Sequence, residues 1–190
     1  MNLPHPRASY TSLFLDRDGV INRRLPGAYV REWSEFHFLP GVPEAITRLG
    51  DFFDRVLVVT NQQGIGKGLM TEEDLYEVHQ QMIATLKKEG GRIDGVYFCP
   101  DLASKPANCR KPAPAMGYWA QRDFPDIVFE HSVMVGDSLS DMIFGKELGM
   151  FTVLITTKEE EAEDLASAKK VIDAQFPGLK AFGNWWSGSY

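Results

Sequence analysis

Ser12-Leu13-Phe14-Leu15-Asp16-Arg17-Asp18-Gly19 decides how this chain is to be folded. A short apolar run without polar alternation, then two carboxylates and a glycine, describes a strand buried on both faces that stops in a polar turn. The same design returns twice. Arg55 to Val59 runs into Thr60-Asn61, and Ser132 to Val135 runs into Gly136-Asp137. Gly95 to Phe98, Phe151 to Ile155 and Lys170 to Ile172 are further short runs of this kind. Helical stretches separate them. Pro43 to Leu49 stops at Gly50, and Thr71 to Glu89 opens on a capping Thr71 followed by Glu72, Glu73 and Asp74 and stops at Gly90-Gly91. Pro114 to Arg122, Ser140 to Leu148 and Glu159 to Ala168 are shorter candidates, and Phe176 to Tyr190, with Trp185 and Trp186, is expected to form a last helix over a sheet edge. Strands alternating with helices predict an α/β fold with an open, doubly wound parallel sheet, as one domain over residues 1–190. In such a sheet ligands bind beyond the carboxyl ends of the strands. Asp16, Thr60-Asn61 and Asp137 then share one edge.

Composition narrows the possibilities. The chain has 190 residues, and Asp+Glu 26 against Lys+Arg 20 gives a net charge of −6. A nucleic-acid binder carries a basic footprint, so none is expected as partner. No apolar run approaches the roughly 20 residues of a membrane span, and the first ten residues contain no signal-peptide core, so no membrane partner and a cytoplasmic location are expected. Two cysteines, Cys99 and Cys109, are too few for a disulfide framework. The four histidines, His5, His37, His79 and His131, lack metal-ligand spacing, and His79 is expected on a helix face.

The acidic residues carry the chemistry. Asp16 and Asp18 sit two apart past one strand, and Asp137 and Asp141 lie at helix spacing past another. Four carboxylates at one edge repel one another unless a cation lies between them. A hard divalent ion with oxygen ligands does this, and Mg²⁺ is the usual choice where few carboxylates and a phosphate share a site. Lys111 can supply a second positive charge. Gly64, Gly66 and Gly68 lack the spacing of a nucleotide-binding fingerprint and are expected to form a tight loop whose amides approach a phosphate.

These residues resemble the motifs of the haloacid dehalogenase superfamily of phosphatases. Phe14-Leu15-Asp16-Arg17-Asp18-Gly19-Val20, Thr60, Lys111 and Gly136-Asp137-Ser138-x-x-Asp141 stand in its order and on its elements. Finer features, Asp18-Gly19-Val20-Ile21-Asn22, Thr60-Asn61-Gln62-Gln63-Gly64 and Cys109-Arg110-Lys111-Pro112, are similar to the heptose-1,7-bisphosphate phosphatases and their histidinol-phosphatase relatives. The resemblance implies Asp16 as nucleophile, Asp18 as general acid and then base, and Thr60, Asn61 and Lys111 as partners of the phosphoryl oxygens. It implies Mg²⁺ held by Asp16, Asp137 and the carbonyl of Asp18, with Asp141 orienting Lys111 or a metal-bound water. Gln62, Gln63, Arg110, Arg24, Gly27 and Tyr29 are expected to meet the substrate, a small phosphorylated metabolite.

Family members often insert a cap domain. Here the 43 residues between Asp16 and Thr60 and the 50 between Thr60 and Lys111 are consumed by the expected helices and strands, so no large cap fits. The likeness therefore implies a Mg²⁺-dependent phosphatase, most simply of heptose 1,7-bisphosphate to heptose 1-phosphate, and a monomer is expected. Histidinol phosphate or another small ester is the enzyme alternative, and an inactive phosphate-binding scaffold is the non-enzyme one. Many relatives bind structural Zn²⁺ through Cys-x-His and Cys-x-Cys around a loop. This chain has Asp101 and Ala107 in two of those four places, so zinc is not expected at Cys99 and Cys109, and a reducing compartment would leave them as thiols.

Overall fold

The structure, a computed structural model, describes residues 10–156 and 169–188. Its centre is a six-stranded parallel sheet: β1 (Ser12–Leu15), β2 (Arg55–Asn61), β3 (Gly95–Cys99), β4 (Ser132–Gly136), β5 (Phe151–Ile155) and β6 (Ala174–Phe176), in the order β3-β2-β1-β4-β5-β6. The helices are α1 (Val42–Gly50), α2 (Gln63–Gly66), α3 (Glu72–Lys88), α4 (Ala115–Asp123), α5 (Leu139–Glu147) and α6 (Leu179–Ser187). From β1 the chain winds outward through β2 and β3, and from β4 it winds the other way through β5 and β6. The winding reverses between β1 and β4, which opens a crevice at their carboxyl ends.

Side chains alternate across the strands, so each strand contributes to two cores. Leu13, Leu15, Val58 and Val135 pack with α1, α3 and α6, whereas Phe14, Leu57, Val59 and Met134 pack with α4 and α5. All four residues of β1 are buried, as a strand covered on both faces requires. The long helix α3 begins at a capping box: the Thr71 hydroxyl accepts from the Asp74 N–H, and Asp74 accepts in return from the Thr71 N–H. Its buried residues Leu75, Val78, His79, Met82 and Leu86 recur at helical spacing on one face.

Among the described residues the expected strands and helices are present with boundaries moved by a residue or two, apart from three differences. Lys169–Val171 is a 3₁₀ turn, and the sixth strand begins at Ala174. The cause is Asp173, whose carboxylate accepts from the Thr152 N–H and hydroxyl at 2.8 and 3.0 Å and so starts pairing with β5 only beyond it. The tail helix α6 lies beside α1 over a face of the sheet rather than over its edge, with Trp186 stacked on Phe53 at 4.9 Å and fully buried. Gly64 and Gly66 belong to the short α2 instead of a phosphate-facing loop, and the Gly66 N–H donates to the Pro100 carbonyl. The helix expected over Glu159 to Ala168 lies outside the described residues. Among the described residues no inserted cap stands over the crevice, the β1–α1 connection adding only a 3₁₀ turn at Trp33–Glu35, and no helix is long and apolar enough to cross a membrane.

Because Trp186 joins α6 to the core, Trp186→Ala is expected to lower the unfolding free energy by about 3–5 kcal/mol in denaturant titration. Tyr76→Ala, at a side chain 63% exposed, should change it by less than about 0.5 kcal/mol.

Candidate active site

Asp16 follows β1 and is 6% exposed, at the floor of a pocket of about 460 Å³. Lys111, on the loop after β3, donates from Nζ to Asp16 Oδ1 at 2.7 Å and to the Val59 carbonyl at 2.7 Å, and lies 2.6 Å from Asp141 Oδ1. Burial disfavours its charge, but Asp141 and Asp16 outweigh burial and hold the ammonium above its ordinary pKa. Asn61 fixes the segment that carries this lysine: its side-chain carbonyl accepts from the Lys111 N–H at 2.9 Å and its amide donates to the Lys111 carbonyl at 3.2 Å. The Asn61 side chain, expected on phosphoryl oxygens, lines the pocket and is engaged there with the Lys111 backbone.

Asp18 is turned by the tight loop after β1, where Gly19 takes φ +103°. A side chain at Gly19 would put its Cβ 1.9 Å from Asp137 Oδ2, so only glycine lets these two loops meet. Both oxygens of Asp18 accept from Arg17 Nη2, at 3.1 and 2.9 Å. Asn22 Nδ2 reaches Oδ1 at 2.9 Å and Gln62 Nε2 reaches Oδ2 at 2.9 Å. Gln62 lines the pocket, as expected, and also donates to the Thr60 hydroxyl at 2.8 Å, so it supports Asp18 and Thr60 from an almost fully buried position. Burial pushes Asp18 up, yet the Arg17 charge and the hydrogen bonds from Asn22, Arg17 and Gln62 together hold its carboxyl below the ordinary value.

Asp137 and Asp141 complete the floor. Arg24 Nη2 meets Asp137 Oδ1 at 2.7 Å, and Asp141 Oδ2 accepts from the Ser138 N–H and hydroxyl at the start of α5. Around the pocket stand Arg24, Gly27, Tyr29, Gln63 and Arg110, as expected from sequence. Lys67, not singled out by the sequence as a substrate contact, lines it as well, its ammonium 5.3 Å above the Tyr29 ring.

Comparison with known proteins identifies the family. A HAD-hydrolase-like family model matches residues 108–181. A D-glycero-alpha-D-manno-heptose-1,7-bisphosphate 7-phosphatase of Mycobacterium bovis is 45% identical over 90% of this chain and 88% of its own. The chain belongs to the haloacid dehalogenase-like family of heptose-bisphosphate phosphatases. A D-glycero-beta-D-manno-heptose-1,7-bisphosphate 7-phosphatase of Vibrio cholerae is 37% identical, over 82% of this chain and 88% of its own. The crystal structure of the D,D-heptose 1,7-bisphosphate phosphatase from B. bronchiseptica, complexed with magnesium and phosphate, superposes with a TM-score of 0.84 at 28% identity, covering 95% of this chain and 99% of that one.

The floor fits the divalent ion of this family. Carboxylate oxygens of Asp16, Asp137 and Asp141 lie within 4.8 Å of one another, and all three residues are buried. Burial, followed by the charges of Asp16 and Asp141, pushes Asp137 up to about 8 despite Arg24 and Lys111. Burial and the charges of Asp141 and Asp18 likewise raise Asp16 to about 6 against the pull of Lys111. A site of hard oxygen donors whose carboxylates resist ionising is short of positive charge, which is what Mg²⁺ supplies.

Two features escaped the sequence. Arg17 is wholly buried, and its Nη1 lies 3.1 Å from Nε2 of His79, which stands on the face of α3 that turns to the core. The spacing of 62 residues hides the pair, and its only trace is a polar residue among the apolar positions of α3. The cysteines depart from expectation too. Cys99 and Cys109 form a disulfide, with Cα atoms 5.6 Å apart. Asp101 draws the loop back by accepting from the Cys109 N–H at 3.2 Å, which returns Cys109 to the end of β3. With the disulfide formed, the unreduced, denatured protein should show no thiol to a colorimetric reagent and two after reduction.

The raised Asp137 pKa gives a pH signature. The folded, metal-free protein holds a proton there that the unfolded chain releases near the ordinary carboxylate pKa. That stabilising contribution is complete at low pH and is lost as pH rises through about 8. In chelator the melting temperature should therefore fall towards pH 8, and Asp137→Asn should flatten the fall. Mg²⁺ displaces the proton, so its gain in melting temperature should be larger at pH 8 than at pH 6.

Proposed function

We propose that this protein hydrolyses the 7-phosphate of D-glycero-D-manno-heptose 1,7-bisphosphate, releasing heptose 1-phosphate and inorganic phosphate. The observation that carries the proposal is the distribution of charge in the pocket. Asp16 and Lys111 are paired at the floor, while Arg24, Lys67 and Arg110 line the same 460 Å³ space. One phosphoryl group does not require that many cations, and a bisphosphate does. The relatives named above act on that substrate class, and the pocket has the few-hundred-Å³ size of a small-metabolite site.

In this mechanism an oxygen of Asp16 attacks phosphorus, and the bond from phosphorus to the sugar oxygen breaks. Its electron pair leaves with that oxygen, which takes a proton from the Asp18 carboxyl. Asp18, now a carboxylate, removes a proton from water as the water oxygen attacks phosphorus. The bond from Asp16 to phosphorus breaks and its carboxylate is restored. Without substrate Asp18 is held as a carboxylate, and the negative charge of an arriving phosphate favours its uptake of the proton. Thr60 and Lys111 meet the phosphoryl oxygens, and Asn61 keeps Lys111 in place. Mg²⁺ held by Asp16, Asp137 and the Asp18 carbonyl would neutralise charge on the transferred group. Asp141 orients Lys111. Arg110 and Lys67 meet the phosphate that is retained, and Tyr29 and Gly27 flank the sugar. The protein is taken to act as one domain and as a monomer, a reading supported by a site whose residues all come from one chain.

Initial rates on heptose 1,7-bisphosphate, histidinol phosphate and hexose monophosphates, with Mg²⁺ and with chelator, test the assignment. The bisphosphate should lead by at least tenfold, and only with metal; preference for histidinol phosphate would overturn the substrate. Asp16→Asn should lose at least about a thousandfold in kcat. Arg110→Ala and Lys67→Ala should each raise KM for the bisphosphate roughly tenfold, the scale of one hydrogen bond to a charged group.

A further inference from the structure

We infer that Arg17 and His79 form a positioning relay that fixes the plane of the Asp18 carboxylate, so that α3 aims the proton-transfer group at the leaving oxygen. The inference rests on the acid–base role of Asp18 proposed above.

Proton transfer to a leaving oxygen depends on direction, and a carboxylate at a loop tip is free to rotate unless both oxygens are held. Arg17 Nη2 contacts both, while Asn22 and Gln62 contact one each. Arg17 is also the only charged group among these three donors. Its guanidinium is planar and always a donor, so whatever fixes that plane fixes the direction of its bond to Asp18.

His79 is placed to do so. Arg17 has 0% exposure and His79 has 4%, so water does not compete for their contact. Because the guanidinium can only donate, His79 Nε2 receives at 3.1 Å, which leaves the imidazole neutral with its proton on Nδ1. Burial and the Arg17 charge, in that order, drive the His79 pKa down to about 3, in keeping with an acceptor that stays neutral. The Phe98 ring at the end of β3 lies 6.5 Å from the imidazole and limits its movement. A buried arginine beside a buried histidine is expensive to assemble for packing alone, since hydrocarbon of that volume would desolvate nothing.

The reaction provides a readout that loss of packing does not move. An alkyl phosphate such as glycerol phosphate needs a proton on its leaving oxygen, whereas p-nitrophenyl phosphate leaves as a stable anion. First-turnover rates of phosphoryl transfer on both esters, for Asp18→Asn, Arg17→Met, His79→Leu and His79→Gln, separate the roles. His79→Leu and Arg17→Met should slow the alkyl ester at least tenfold more than the nitrophenyl ester, in the direction of Asp18→Asn. His79→Gln, whose carbonyl can accept from Arg17, should recover most of that selective loss. Equal slowing of both esters, or no recovery with Gln, overturns the relay. Should Arg17→Met fail to fold, the His79→Leu and His79→Gln pair decides by the same two results. An Asp18→Asn protein without selective loss would remove the acid role itself. Failure of the heptose ester alone would instead remove the substrate assignment.

Discussion

A single ammonium group organises this molecule. Lys111 Nζ sits against Asp16 and Asp141 with its side chain 2% exposed, and those two residues come from the ends of β1 and the start of α5. Removing one member of such a buried set leaves charge without partner or water, which costs about 3–5 kcal/mol in general experience. The arrangement is therefore stable only while the loop after β3 returns to the sheet. Asn61 at the end of β2 holds the backbone of Lys111 from both sides, and the Cys99–Cys109 bond closes the loop just before it. Three separate stretches of chain meet at this one positive charge, through Asp16 after β1, the Val59 carbonyl of β2 and Asp141 in the first turn of α5.

That dependence explains why the floor was legible in sequence. Asp16, Thr60 and Asp137 each end an apolar run, so the pattern that marks a buried strand also marks the residue after it. The parallel sheet and the α3 cap were legible for the same reason: they are written in local periodicity and in a four-residue box. Positions defined by tertiary partners were not. Gln62 and Asn61 are polar residues at the right edge, and nothing local says that one turns to Asp18 and the other to the Lys111 backbone. His79 and Arg17 meet from parts of the chain 62 residues apart. The start of β6 was misplaced because Lys170 to Ile172 has strand-like composition, while Asp173 delays the pairing through its side chain.

Floor and rim obey different physics. On the floor, like charges are forced together in a place that water hardly reaches, so Asp137 and Asp16 ionise less readily and a divalent ion is welcome. Arg24, Lys67 and Arg110 stand where solvent still screens them, and their attraction for an anion is correspondingly modest until a ligand displaces the water. In the function proposed above, the floor would set the rate and the rim the choice of ester.

The open crevice, without a cap among the described residues, has an evolutionary side. Its walls are three loops, each tied at both ends to the sheet or to a helix, and the residues that differ in chemistry between possible ligands stand on those loops. Exchanging Tyr29, Lys67 or Arg110 leaves the pairing of Lys111 with Asp16 and Asp141 untouched. With no lid to invent or re-hinge, a handful of substitutions on these loops would change what the crevice presents to a ligand while the ion pairs of its floor stay in place.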